Sequence, residues 1–118
     1  IGNEHAVGFM QHNVLTLSPE GLPLGLIDQI CWTRPEKQLQ TKTKNKTLPI
    51  EEKESYCWIS CLENTIKRCP SGVDPITICD RESDIYEFFD KAKTLEAKVI
   101  TRLKPQGSPH FNVFYKPN

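Results

Sequence analysis

The chain has 118 residues, 37% hydrophobic and 25% charged, which suits one ordinary soluble domain and not two. Fifteen Lys plus Arg balance fifteen Asp plus Glu, which excludes the strongly basic profile of a histone-like or arm-type nucleic-acid binder but leaves room for a local basic face. No apolar run reaches the ~18 residues that a membrane-spanning helix needs, and the opening residues lack the cationic-then-apolar pattern of a signal segment, so no membrane partner is expected.

The chain begins Ile1-Gly2-Asn3 without Met, as expected of a processed product or a piece of something longer. Ala6 to Leu17 carries Val7, Phe9, Val14, Leu15 and Leu17, largely at strand-like spacing. Ser18-Pro19-Glu20-Gly21 supplies a type I turn, and a second extended run follows over Leu22 to Arg34, so the pair reads as an antiparallel hairpin. Gly8 and Gly25 inside these runs weaken a regular ladder or mark bulges. From Pro35 to Pro49 the chain turns polar and lysine-rich (Lys37, Lys42, Lys44, Lys46), a composition that buries little and predicts a loop. Ile50 to Arg68 reads as an amphipathic helix with Cys57, Trp58, Cys61, Leu62, Thr65 and Ile66 on one side. Glu51, Glu52 and Glu54 would fill its first turn and Lys67 and Arg68 its last, as the helix dipole favours.

Pro75 to Asp80 is a short apolar strand, and Ser83 is placed to cap a helix over Asp84 to Leu95, striped by Ile85, Phe88, Phe89 and Ala92. Ala97 to Leu103 reads as the next strand. This order of hairpin, helix, strand, helix, strand predicts an α/β class, with the last two strands parallel and joined by a right-handed crossover.

Ligands in open α/β sheets gather at the carboxyl ends of parallel strands, where Asp80 falls. A carboxylate there can ligate Mg²⁺ or Mn²⁺ through oxygen, with Arg81 offering a phosphate contact and Glu82 and Asp84 adding negative charge. Alternatively, Asp80 and Asp84 simply cap the helix N-terminus. The Asp80-x-Glu82-x-Asp84 spacing mimics a calcium loop, but Ile85 stands where that loop needs Gly. The five cysteines, an odd number, fit a disulfide framework badly and look like reduced interior thiols of a cytosolic protein. Zinc held by Cys57, Cys61 and Cys69 is disfavoured by the lack of a Cys-x-x-Cys pair. His5, His12 and His110 are scattered. The lysine loop either tracks a nucleic-acid backbone or is a solvated surface.

Three separated segments carry a resemblance. Gly25-Leu26-Ile27-Asp28-Gln29-Ile30-Cys31-Trp32-Thr33-Arg34-Pro35, then Glu52-Lys53-Glu54-Ser55 followed by Trp58, and Ile78-Cys79-Asp80-Arg81-Glu82-Ser83-Asp84-Ile85 occur in the order of three motifs of bacterial cut-and-paste DDE transposases. The chain is similar to the group containing the transposon-five and insertion-sequence-four enzymes, and Ile1-Gly2-Asn3, Gly8 and His12 resemble the stretch shortly after that group's first catalytic aspartate. The resemblance covers roughly residues 1–104 as a partial catalytic core, with 105–118 a tail where an inserted β-region would begin.

The resemblance implies a ribonuclease H-like fold: hairpin strands two and three, a helix, strand four, a helix and strand five. Strand one, which lies between strands two and four, and the final catalytic helix would be missing. Asp80 would be the middle carboxylate of the DDE triad, a ligand to one of two Mg²⁺ (or Mn²⁺) ions in the parent enzyme. Arg81, Glu82, Lys53, Lys42, Lys44 and Lys46 become candidates for contacting DNA or supporting the metal site. The implied partners are transposon-end and target DNA and a second copy in a homodimeric synaptic complex, in the bacterial cytoplasm. With one of three metal ligands, this piece alone is expected to bind no metal and cleave no DNA. The gap left by strand one is expected to close by pairing of Ala6–Leu17 with Pro75–Asp80, by the tail, or by another copy. Two alternatives stay open: a fragment of another ribonuclease H-like nuclease or integrase, and a non-enzymatic nucleic-acid-binding α/β module.

Overall fold

A computed structural model describes residues 8–34 and 48–103. They belong to two compact units that divide between Pro49 and Ile50. The class is mixed α/β: the described residues form two strand pairs and two α-helices.

The first unit is a β-hairpin. β1 (Met10–Leu17) pairs antiparallel with β2 (Pro23–Trp32), Met10 opposite Trp32 and Leu17 opposite Pro23. The Ser18–Gly21 turn forms as the sequence predicts. Gly21 N–H donates to the Ser18 carbonyl (2.9 Å), and Ser18 N–H to the Leu22 carbonyl (2.9 Å). Gly21 at φ +87° supplies the left-handed residue that this three-residue loop requires. Two register shifts, at Ile27 and Leu24, flank Gly25 (φ +131°), so Gly25 does mark bulges. One face carries half-buried His12, Val14, Ile30 and Trp32 with buried Asp28; the other leaves Leu15, Leu17 and Leu26 exposed near the turn.

In the second unit, Ile50–Glu52 forms a 3₁₀ turn and α1 runs Tyr56–Arg68. The predicted helix from Ile50 therefore begins six residues late. Lys53 N–H bonds the Ile50 carbonyl (3.0 Å), closing a separate tight turn, so Glu51, Glu52 and Glu54 precede the α-helix and none lies in its first turn. The C-terminal end matches: Lys67 and Arg68 occupy the last turn, Lys67 pairs with Glu63 (3.4 Å), and Pro70 follows. β3 (Ile76–Cys79) and β4 (Lys98–Thr101) pair in parallel, Ile76 beside Lys98 and Cys79 beside Thr101. Between them, after a 3₁₀ turn at Arg81–Ser83, α2 spans Tyr86–Thr94.

The α2 stripe was legible. Phe88 and Ala92 join Ile59, Leu62 and Cys79 in the core, with Ile85, Phe89, Ala97 and Val99 packed against them. The end of α2 is a Schellman motif: Ala97 N–H reaches the Ala92 carbonyl (2.8 Å), Glu96 N–H the Lys93 carbonyl (3.1 Å), and Glu96 takes φ +53°. One expectation is corrected: Ser83 caps no α-helix, because it lies within the 3₁₀ turn and Ile85 occupies the N-cap position of α2. Among the described residues each unit holds one two-stranded sheet. The helices cover one face of β3–β4, while Ile76, Ile78 and Ile100 stand exposed on the other, Ile78 at 74%.

Candidate functional site

The carboxyl end of β3 is where the chain collects chemistry. Asp80 is the first residue past the strand; it is exposed and extended (φ −84°, ψ −176°), which aims its side chain back over the turn it opens. Its Oδ1 accepts the Glu82 N–H at 2.8 Å. The capping reading of Asp80 thus describes its geometry, applied to a 3₁₀ turn and not to α2. Asp84 ends that turn (φ −73°, ψ 71°). Ile85 N–H donates to the Ser83 carbonyl at 2.8 Å across it, an inverse γ-turn that redirects the chain into α2. The Asp84 side chain is buried.

Ser83 is the residue that sequence reasoning misassigned. Its side chain is 0% exposed, and its hydroxyl donates to the Asp80 carbonyl at 2.7 Å, beside the backbone bond from Ser83 N–H to the same oxygen (3.2 Å). The same hydroxyl oxygen lies 3.4 Å from Thr101 Oγ1, at the end of β4. Arg102 N–H donates to the Cys79 carbonyl (3.3 Å), carrying the parallel ladder one residue further. Thr101 was missed too. The available signal was parity, since a period of two from Val99 puts Thr101 on the helix-covered face.

Two thiols border the site. Burial pushes Cys79 up to about 11; the Ser83 hydroxyl opposes this and the Asp80 charge adds to it. Cys57, at the start of α1, is also pushed up to about 11, first by burial, opposed by the Trp58 N–H and raised by the charges of Glu82 and Glu54. Glu82 therefore lies within electrostatic reach of the first turn of α1. Both groups are neutral thiols at pH 7, in keeping with the interior cysteines read from the sequence and ill suited to nucleophilic attack. None of the five cysteines forms a disulfide.

Arg81 and Glu82 are exposed in the 3₁₀ turn with Asp80. Lys53 sits half-buried in the turn before α1, while Lys42, Lys44 and Lys46 lie outside the described residues. Among the described residues no group of three His, Cys, Asp or Glu side chains is arranged to hold a metal ion. Asp80 and Glu82 both present exposed carboxylates in this turn, oxygen donors of the kind Mg²⁺ prefers. Also among them, no helix is long and apolar enough to cross a membrane. No protein-family model matches the chain, and no curated protein matches it.

Proposed function

We propose that this chain is part of the ribonuclease H-like catalytic core of a DDE transposase, with Asp80 as one of the carboxylates of its triad. The observation that carries the reading is the element order: an antiparallel hairpin, a helix, and then a parallel strand–helix–strand unit, which is the order of the family's strands two to five. The exposed position of Asp80 beyond β3 supports it further.

In this reading the parent enzyme's metal ions supply the charge stabilisation for in-line attack on a DNA phosphodiester. The chain's own residues then have plain tasks. Asp80 presents a carboxylate at the strand end, the 3₁₀ turn fixes its direction, and Arg81 places a guanidinium where a phosphate can be bound. The resemblance supplies one of the family's three triad carboxylates, so the isolated chain is expected to be inactive as a nuclease.

The coding frame on both sides tests the reading. An Asp in an upstream β-run and a downstream helix with the Tyr/Arg/Glu/Lys signature are expected; a frame lacking both overturns it. A supercoiled plasmid incubated with the purified chain and Mg²⁺ is expected to stay intact. Nicking that disappears in Asp80→Ala would refute the inactivity of this piece while keeping Asp80 in its role.

A further inference from the structure

The geometry points to Ser83 and Thr101 as positioning residues: a buried serine hydroxyl and a half-buried threonine hydroxyl that together lock the Asp80 turn to the end of β4. The inference rests on the proposed role of Asp80 only for its functional meaning; the lock itself is a claim about this turn.

The argument starts from proton counting. A serine hydroxyl carries one proton, and Ser83 commits it to the Asp80 carbonyl at 2.7 Å, the shorter of its two oxygen contacts. Ser83 Oγ and Thr101 Oγ1 lie 3.4 Å apart; with the Ser83 proton on the Asp80 carbonyl, the Thr101 hydroxyl is the one that would donate across this contact. The result is a chain of bonds from Thr101 through Ser83 to the Asp80 carbonyl. On the other side of the same residue, Asp80 Oδ1 holds the Glu82 N–H.

Asp80 is therefore gripped twice, by its main-chain oxygen from inside the fold and by its side chain from the solvent side. Only the inner grip is shielded from water, since Ser83 is fully buried while Asp80 and Glu82 are exposed. An exposed capping bond contributes little by itself. Its persistence depends on the backbone being held by the buried one. Ser83 also lies against the Cys79 thiol, so the hydroxyl ties together the last residue of β3, the turn and the end of β4. Removing the Ser83 proton donor would leave the Asp80 carbonyl held by the 3.2 Å bond from the Ser83 backbone N–H alone.

The test is amide hydrogen exchange by NMR on the whole chain, comparing wild type with Ser83→Ala, Thr101→Val and Thr101→Ser. Losing one buried hydrogen bond should speed exchange of the Glu82 amide about tenfold in Ser83→Ala. Thr101→Val should speed it about threefold, and Thr101→Ser, which keeps the hydroxyl, should return it to the wild-type rate. Amides of Leu62 and Phe88 in the helices should stay unchanged in the Thr101 pair. An unchanged Glu82 rate in Thr101→Val overturns the lock, as does equal acceleration in Thr101→Val and Thr101→Ser. The threonine variants decide the matter even where Ser83→Ala fails to fold. Mn²⁺ added to the wild-type chain separates this inference from the reading of Asp80. Line broadening confined to residues 80–84 and lost in Asp80→Asn supports a metal-facing carboxylate. Its absence, with the exchange pattern intact, removes the metal role and leaves the lock standing.

Discussion

Phe88 offers the sharpest test of how the second unit is held. It is 0% exposed and packs with Ile59, Leu62, Cys79 and Ala92, its ring edge-on to Phe89 with centroids 5.8 Å apart. Truncation to Ala should cost about 3–5 kcal/mol in lost transfer energy and cavity formation. At ~0.05–0.15 kcal/mol per residue, a unit of this size has a total stability of only about 3–10 kcal/mol. Phe88→Ala is therefore expected to unfold it largely, and Phe88→Leu, which keeps most of the volume, to cost about 1–2 kcal/mol. The chain's two tryptophans make the assay clean: Trp32 lies in the hairpin and Trp58 packs against this core. In a Trp32→Phe background, urea unfolding followed by Trp58 fluorescence reports the second unit alone. A Phe88→Ala protein retaining a cooperative Trp58 transition within about 1 kcal/mol of its parent would refute the reasoning.

Other outcomes follow from local geometry. Glu96 occupies a left-handed position at the end of α2, so Glu96→Gly should raise the stability of the second unit by roughly 0.5–1 kcal/mol in the same urea assay. Gly21, at φ +87°, should resist replacement: Gly21→Ala is expected to cost about 1 kcal/mol, read as loss of hairpin cross-strand NOEs at raised temperature. Cys57 and Cys79 titrate near 11 when folded and near 9.0 when unfolded. The unfolded chain gives up these protons first, so stability should be unaffected below pH 9 and fall as pH climbs from 9 towards 11. Iodoacetamide at pH 8 should label exposed Cys31 well before buried Cys61 and Cys79, as peptide mass mapping would show. Ile78→Lys on the open face of β3 should change the urea midpoint by less than about 0.5 kcal/mol-equivalent, because Ile78 is already solvated.

The legible parts of this chain are those whose signals are local. The hairpin could be read because Ser18-Pro19-Glu20-Gly21 determines its own turn, and the α2 stripe because Phe88 and Ala92 fall on one face by spacing alone. Misreadings arose where two residues compete for one task. A serine before a helical run looks like a cap, but Asp80, three residues earlier, took the exposed N–H, and the Ser83 hydroxyl turned inward to a carbonyl. The acidic cluster at Glu51, Glu52 and Glu54 looks like a helix start, yet Ile50–Glu52 closes as a 3₁₀ turn of its own and the α-helix waits until Tyr56. The bulges were signalled by Gly25, but their seats at Ile27 and Leu24 depend on cross-strand register, which no single strand encodes. At the candidate site, the sequence located Asp80 at the strand end and was silent on Thr101, whose meeting with Ser83 spans 18 residues and exists only once β4 lies beside β3.

The capping bond of Asp80 has a consequence for ion size. With Oδ1 engaged by the Glu82 amide at 2.8 Å, the side chain has already given up part of its rotational freedom. In the metal role proposed for Asp80, its uncapped oxygen would serve as a single ligand to a small hard dication, and a two-oxygen grasp of a larger ion would compete with the capping bond.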